Sequence, residues 1–265
     1  MNRIILAFVL VAGSAFGQAF TFLDMAWMGK IATPVQSGGG SGFTTITNVP
    51  GYPTLAWYRS DFVTTNGGNN YTWVNLMGNT LYDLTNKGAA SSWPTRVSAD
   101  LNGFDALNFA TAASQYVNSQ GLTATQPTEY FMVCKWNVAA TPGGVCCYID
   151  GNNGGRNTVY YDNAGDFGYF SGSSLVKKPS GNNYYFIWDA AFNGIASVIL
   201  TNNVIVATNT TSPGANNLNG LYVARDFTGG GQVPLRVIDF IIYSTNLSAV
   251  MRSNVWFNLK TRYGL

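Results

Sequence analysis

The end of this chain constrains its fold more than any other stretch. In the segment from Leu247 to Leu265, apolar Leu247, Met251, Val255, Leu259 and Tyr263 recur at every fourth position, so a helix places them in one stripe. Ser248 stands where an N-cap hydroxyl accepts from the free amides of the first turn. Lys260 and Arg262 fall in the last turn, facing the negative end of the helix dipole, and Gly264 follows as a residue suited to the left-handed C-cap. Immediately before, Val237-Ile-Asp-Phe-Ile-Ile-Tyr243 has the β-branched and aromatic content of a buried strand. A buried strand, a short turn and a one-sided helix predict a helix packed on a sheet.

The rest of the chain reads as strands. Ala196-Ser-Val-Ile-Leu-Thr201 and Val204-Ile-Val-Ala207 flank Asn202-Asn203, a pair that tolerates positive φ, and form the strongest hairpin signal. Further strand candidates are 56–58, 106–109, 129–136, 145–149, 158–161, 184–188, 220–224 and 233–243, separated by Gly, Asn and Ser clusters. Many short strands with one terminal helix argue for a two-sheet sandwich. Trp57, Phe109, Phe131, Trp188 and Phe240 are its expected core aromatics.

The closing residues Tyr243, Leu247, Ser248, Arg252, Val255, Leu259, Arg262, Tyr263, Gly264 and Leu265, in that order, resemble the end of bacterial and phage laminin-G-like domains of the concanavalin A-like jelly-roll superfamily. Leu55-Ala-Trp-Tyr58, Asp61, Asn102-Gly-Phe-Asp-Ala-Leu-Asn-Phe109, Tyr116-Val117 and Thr128-Glu-Tyr-Phe-Met-Val133 are similar to that family's earlier markers. The resemblance covers roughly residues 50 to 265 and implies an all-β, two-sheet jelly-roll sandwich with a short C-terminal helix; the composition ahead of it adds an extended or helical N-terminal arm. Asp239 stands where the family often has Glu, and Met251 replaces the usual Glu before the Arg.

The expected organisation is a signal-like or apolar segment at 1–19, an arm and Gly/Ser-rich linker at 20–43, and the jelly roll at 44–265. Arg3, the apolar run 4–12 and Ala15-Phe16-Gly17 have the order of a secretory signal. The competing readings are an uncleaved anchor and an unprocessed virion protein whose apolar start packs on a partner or a second copy. Both export and virion display put the protein outside the cell.

Cys134 and one of Cys146 and Cys147 can face each other if the turn-like 139–144 makes a hairpin, because adjacent strand residues point to opposite faces. Cys134 with Cys146 is the candidate disulfide; small buried hydrophobes are the alternative.

Composition narrows the chemistry. The chain has no histidine, which removes Ser-His-Asp and Cys-His hydrolases and His-based metal sites. Glu129 is the only glutamate, so the two-glutamate strand of the superfamily's glucanases is missing. No catalytic residue is therefore assigned; Asp162, Asp166 and Asp189 are expected to cap turns. With a net charge of +2 and Lys177-Lys178 as the only adjacent basic pair, a nucleic-acid footprint is also missing. Asp150 and Asn152, in Asp150-Gly-Asn-Asn-Gly-Gly-Arg156, are the candidate oxygen ligands for calcium, which loops of jelly-roll lectins often hold, although no bidentate Glu follows.

Binding is the better-supported expectation. Tyr71, Trp73, Trp93 and Phe227 read as loop aromatics able to stack on sugar rings, with Asp226 beside them. The expected function is a non-catalytic extracellular or virion-displayed protein for adhesion, glycan binding or structural decoration. Its partner would be a surface glycan or protein, with homo-oligomer or virion assembly through the N-terminal arm. The alternative is a polysaccharide-degrading hydrolase or lyase on the same fold, which needs a carboxylate pair, or a Tyr with a Lys or Arg, in an exposed cleft.

Overall fold

The computed structural model describes residues 54–265, except 67–69, 87–88, 111–113, 137–145, 153, 162–166, 178–183, 203 and 209–211. The expected segments 1–19 and 20–43, with Asp162 and Asp166, lie outside the described residues. In chain order the first strands are β1 (Thr54–Arg59), β2 (Val63–Asn66), β3 (Asn70–Trp73), β4 (Leu84–Asn86), β5 (Thr95–Leu101), β6 (Phe104–Phe109), β7 (Val117–Ala124) and β8 (Thr128–Trp136). There follow β9 (Cys146–Asp150), β10 (Thr158–Tyr161), β11 (Phe167–Phe170), β12 (Ser174–Lys177), β13 (Phe186–Phe192), β14 (Val198–Thr201), β15 (Val204–Thr208), β16 (Leu218–Val223) and β17 (Leu235–Tyr243). The helix α1 (Ala249–Tyr263) closes the chain.

These strands make two antiparallel sheets. The first has the order β15-β14-β13-β8-β17-β6-β5, with β1 also on β17; the second runs β12-β11-β10-β9-β16-β7-β4-β3-β2. Strand β17 divides one edge between two neighbours, its start pairing with β6 and its end with β1. The protein is an all-β sandwich of two antiparallel sheets with a C-terminal helix.

Between the sheets lies an aromatic core that includes Tyr58, Trp73, Phe109, Tyr130, Tyr148, Trp188, Phe192 and Phe240. A second apolar layer, with Trp57, Phe131, Val133, Ile241, Leu247, Val255, Leu259 and Tyr263, packs α1 on the outer face of the first sheet. Strands β8 and β17 are therefore apolar on both faces, which is why they read as continuous hydrophobic runs. All five expected core aromatics are buried, Trp57 and Phe131 on the helix side.

The caps form as their chemistry dictates. Ser248 Oγ accepts from Met251 N at 3.3 Å, and Gly264 is left-handed at φ 67° with its amide on Lys260 O. Asn102 and Gly103, both at positive φ, make the two-residue turn between β5 and β6. From that turn Asn102 Nδ2 donates to Tyr263 O at 2.6 Å, tying the last helical turn to the first sheet. Asn202, at φ 48°, turns β14 into β15 as expected; Asn203 lies outside the described residues.

The expected cysteine hairpin is not formed. Strands β8 and β9 belong to different sheets, so Cys134 lies between Phe186 and Val237 in the first while Cys146 pairs with Tyr161 of β10 in the second. Cys134 is a buried free thiol; the side chain of Cys146 lies outside the described residues.

Candidate functional site

The outer face of the first sheet carries the buried acids, and α1 covers them. Glu129 on β8 accepts from Leu247 N at 2.6 Å through Oε2 and from Arg252 Nε at 2.6 Å through Oε1. Arg252 Nε also stands 3.0 Å from Asp189 Oδ2 without hydrogen-bond alignment, and its Nη2 donates to Asn246 Oδ1 at 3.1 Å. Asp189 is expected to cap a turn, but it lies inside β13, where every residue is buried. Burial, then the neighbouring Glu129 charge, pushes its carboxyl well above the ordinary range against the pull of Arg252. Asp239 accepts from Trp57 Nε1 at 2.7 Å and from Tyr263 OH at 2.6 Å, and burial raises it too. These carboxylates fasten a helix. They do not line a cleft.

The set of a Tyr with a Lys and an Arg also exists, around Asp100 of β5, from β8, β17 and the residue just ahead of β13. Asp100 accepts from Arg236 Nη1 at 2.5 Å, pairs with Lys135 at 3.0 Å and takes a hydrogen bond from Tyr185 OH. Burial and the Asp100 carboxylate push the Tyr185 phenol up. It is thus held as a donor rather than poised as a base.

The expected ligand-binding residues separate into two places. Tyr71 and Trp73 are core residues of a short strand, not loop aromatics: both face inward on β3, and Trp73 Nε1 donates to Arg59 O at 2.7 Å. Trp93, half-buried, packs on Tyr71 at 6.0 Å. Asp226 and Phe227 lie at the far end of β16. Asp226 Oδ1 accepts from Thr228 Oγ1 at 2.9 Å, and the Phe227 ring lies 4.8 Å under the Arg156 guanidinium.

The calcium reading of Asp150 is corrected by the same arginine. Asp150 is buried, its Oδ1 accepting from Arg156 Nε at 3.0 Å and Thr158 Oγ1 at 2.5 Å, its Oδ2 from Arg156 Nη2 at 2.8 Å and Phe227 N at 3.2 Å. The guanidinium stands where a cation would, and Asn152 turns its amide to Gln120. Among the described residues no group of three or more metal-ligating side chains occurs.

What lies next to this knot is a surface the sequence reading missed. On β16, Tyr222 sits between Asn118 of β7 and Asp150 of β9, and it alternates with core-facing Leu221 and Val223. Gln120 Nε2 donates to Tyr222 OH at 3.1 Å, and Asn152 Nδ2 donates to Gln120 Oε1 at 2.7 Å. Tyr116 lies 6.4 Å from Tyr222, and the Arg225 guanidinium stacks over the Tyr116 ring at 3.9 Å. Two rings, a guanidinium and two ordered amides thus share the outer face of the second sheet. Beyond its far end, a groove of about 540 Å³ opens between the sheets, lined by Leu55, Thr123, Ala124, Asn217, Leu218, Asn219 and Ser244 among others.

No family model matches the sequence, and neither does any curated protein. Solved structures do match in fold. A Trypanosoma rangeli sialidase in complex with sialic acid aligns with a TM-score of 0.53 at 14% identity, over 91% of this chain and 38% of that one. A botulinum neurotoxin type C structure, described in terms of that toxin's interaction with two ganglioside molecules, aligns with a TM-score of 0.57 at 12% identity, over 81% and 53%. The binding domain of Paraclostridial mosquitocidal protein 1 gives 0.56 at 10% identity, over 78% and 52%. The chain spans no more than about half of each, and at these identities the similarity establishes the sandwich fold alone.

Proposed function

We propose that this protein is a non-catalytic glycan-binding module of the laminin-G-like, concanavalin A-like jelly-roll type, acting in adhesion or decoration on a cell exterior or a virion. The observation that carries the reading is the Tyr116, Tyr222, Arg225, Gln120 and Asn152 surface. It offers rings for the apolar faces of sugars and amides already aligned for their hydroxyls. Neighbours described as binding gangliosides or sialic acid support it as the same architecture in saccharide recognition. The coverage of Glu129, Asp189 and Asp239 by α1 supports the non-catalytic half of the proposal over a polysaccharide hydrolase. Among the described residues no helix is long and apolar enough to cross a membrane. The signal-like segment 1–19 supports an extracellular place. A glycan array probed with the full chain and with Tyr222→Ala tests the reading: glycan retention that the substitution abolishes is expected, and no retention on any glycan would overturn it.

A further inference from the structure

Arg225 stands apart from every other described arginine. Arg59, Arg96, Arg156, Arg236, Arg252 and Arg262 each pair with a carboxylate of this chain. Among the described residues Arg225 pairs with none; there its one hydrogen bond is from Nε to the backbone oxygen of Asp226 at 3.3 Å. In a chain with so few charges, the pairing of all the others makes this exception informative. Arg225 is half-buried, its guanidinium carbon 3.9 Å from the centre of the Tyr116 ring and 5.8 Å from the centre of the Tyr222 ring. The loop that follows is shaped around it. Gly229 adopts φ +94°, and a Cβ there would come within 2.7 Å of Arg225 Nη2. The neighbouring acids are engaged elsewhere, Asp226 with Thr228 and Asp150 with Arg156.

A planar fork with no carboxylate partner among the described residues suits an incoming carboxylate, which takes two parallel N–H bonds from it. The ring of Tyr222 and the Gln120 and Asn152 amides beside it suit the body of a sugar and its hydroxyls. We infer that Arg225 receives the carboxylate of an acidic saccharide, a uronate or sialate residue, whose ring lies along Tyr222. This rests on the glycan-binding reading above and gives it a charge preference and an anchoring residue.

The test is titration calorimetry of the full chain with 3′-sialyllactose and with a galacturonate trimer, against lactose as the neutral control and a sulfated lactose as the anion control. At least one carboxylated probe should bind about tenfold or more tighter than lactose, with affinity falling as salt rises. Arg225→Gln should remove that preference, bringing the carboxylated probe down to the affinity of lactose. Arg225→Lys, which keeps the charge and the packing stem but loses the fork, should keep only part of it, so a folding defect in the first variant does not decide the matter. Equal binding of acidic and neutral probes, an unchanged preference in both variants, or tighter binding of the sulfated probe would overturn the inference while leaving the glycan-binding reading standing. Absence of binding to every probe, together with a blank glycan array, would overturn both.

Discussion

Removing the cation of the buried Glu129, Asp189 and Arg252 cluster tests how α1 is held. Arg252→Met keeps most of the apolar stem and deletes the guanidinium, leaving Glu129 with the Leu247 amide and Asp189 without a cation. Both acid side chains are almost inaccessible, at 0% and 4% exposure, and that of Arg252 is at 13%. Breaking a buried pair by deleting one partner costs about 3–5 kcal/mol. The surviving amide bond and the proton on Asp189 place this case near the lower end, about 3 kcal/mol. The pH dependence has a definite sign. Because burial and Glu129 raise Asp189, the folded protein holds a proton that the unfolded chain releases above about pH 4. Stability from this group is full below that value and declines as pH rises toward the raised folded one. Without Arg252 the acid pair has no counter-ion, so the decline steepens and the penalty grows from about pH 4 to about pH 8. Equilibrium urea denaturation of the full chain, followed by tryptophan fluorescence at those two pH values, reads both effects. A loss below about 1 kcal/mol at the higher pH, or an equal loss at both, would refute the reasoning. Asp189→Asn, in the same assay, should flatten the decline.

Other expectations follow from single contacts. Leu259→Ala, on the fully buried face of α1, should cost about 2–5 kcal/mol in the same denaturation assay, and a loss within error would mean that the helix does not pack as described. Calcium at millimolar level should leave the melting temperature of the full chain unchanged, since Arg156 fills the Asp150 site; a rise of several degrees would contradict this. Cys134, buried and with its thiol pushed up by burial, should resist iodoacetamide in the native chain and react after denaturation, as peptide mapping would show.

The sequence was most readable where a short period or a local cap carries the signal. The stripe of α1, its Ser248 and Gly264 caps, the Asn202 turn and the five core aromatics all stand in the structure at the expected residues. Tyr71 and Trp73 were misread because the Gly and Asn residues from 66 to 70 look like loop, while the strand that follows is only four residues long and turns both rings inward. Asp189 was misread because a carboxylate in a fully buried strand makes sense only with Arg252, on an element far along the chain. The candidate surface was hidden for the same reason: Gln120 and Tyr222 are 102 residues apart. Its one local trace was the alternation of Tyr222 between Leu221 and Val223, which marks an outward ring without saying what stands beside it.

The two outer faces of the sandwich are therefore not equivalent, and the difference is why the proposed glycan site is assigned to the second sheet. On the first sheet, α1 and its apolar stripe cover the part of the face that holds Glu129 and Asp239, whose hydrogen bonds go to Arg252, Leu247, Trp57 and Tyr263. A ligand there would have to displace the helix and expose buried charge, a cost comparable to the stability of the whole domain. On the second sheet, β7, β9 and β16 present Tyr116, Tyr222 and Arg225 without such a cover among the described residues, and the amide chain from Asn152 to Tyr222 OH is already ordered. Ligand binding there orders little that is not ordered beforehand. A weak saccharide contact gains most from such preorganisation.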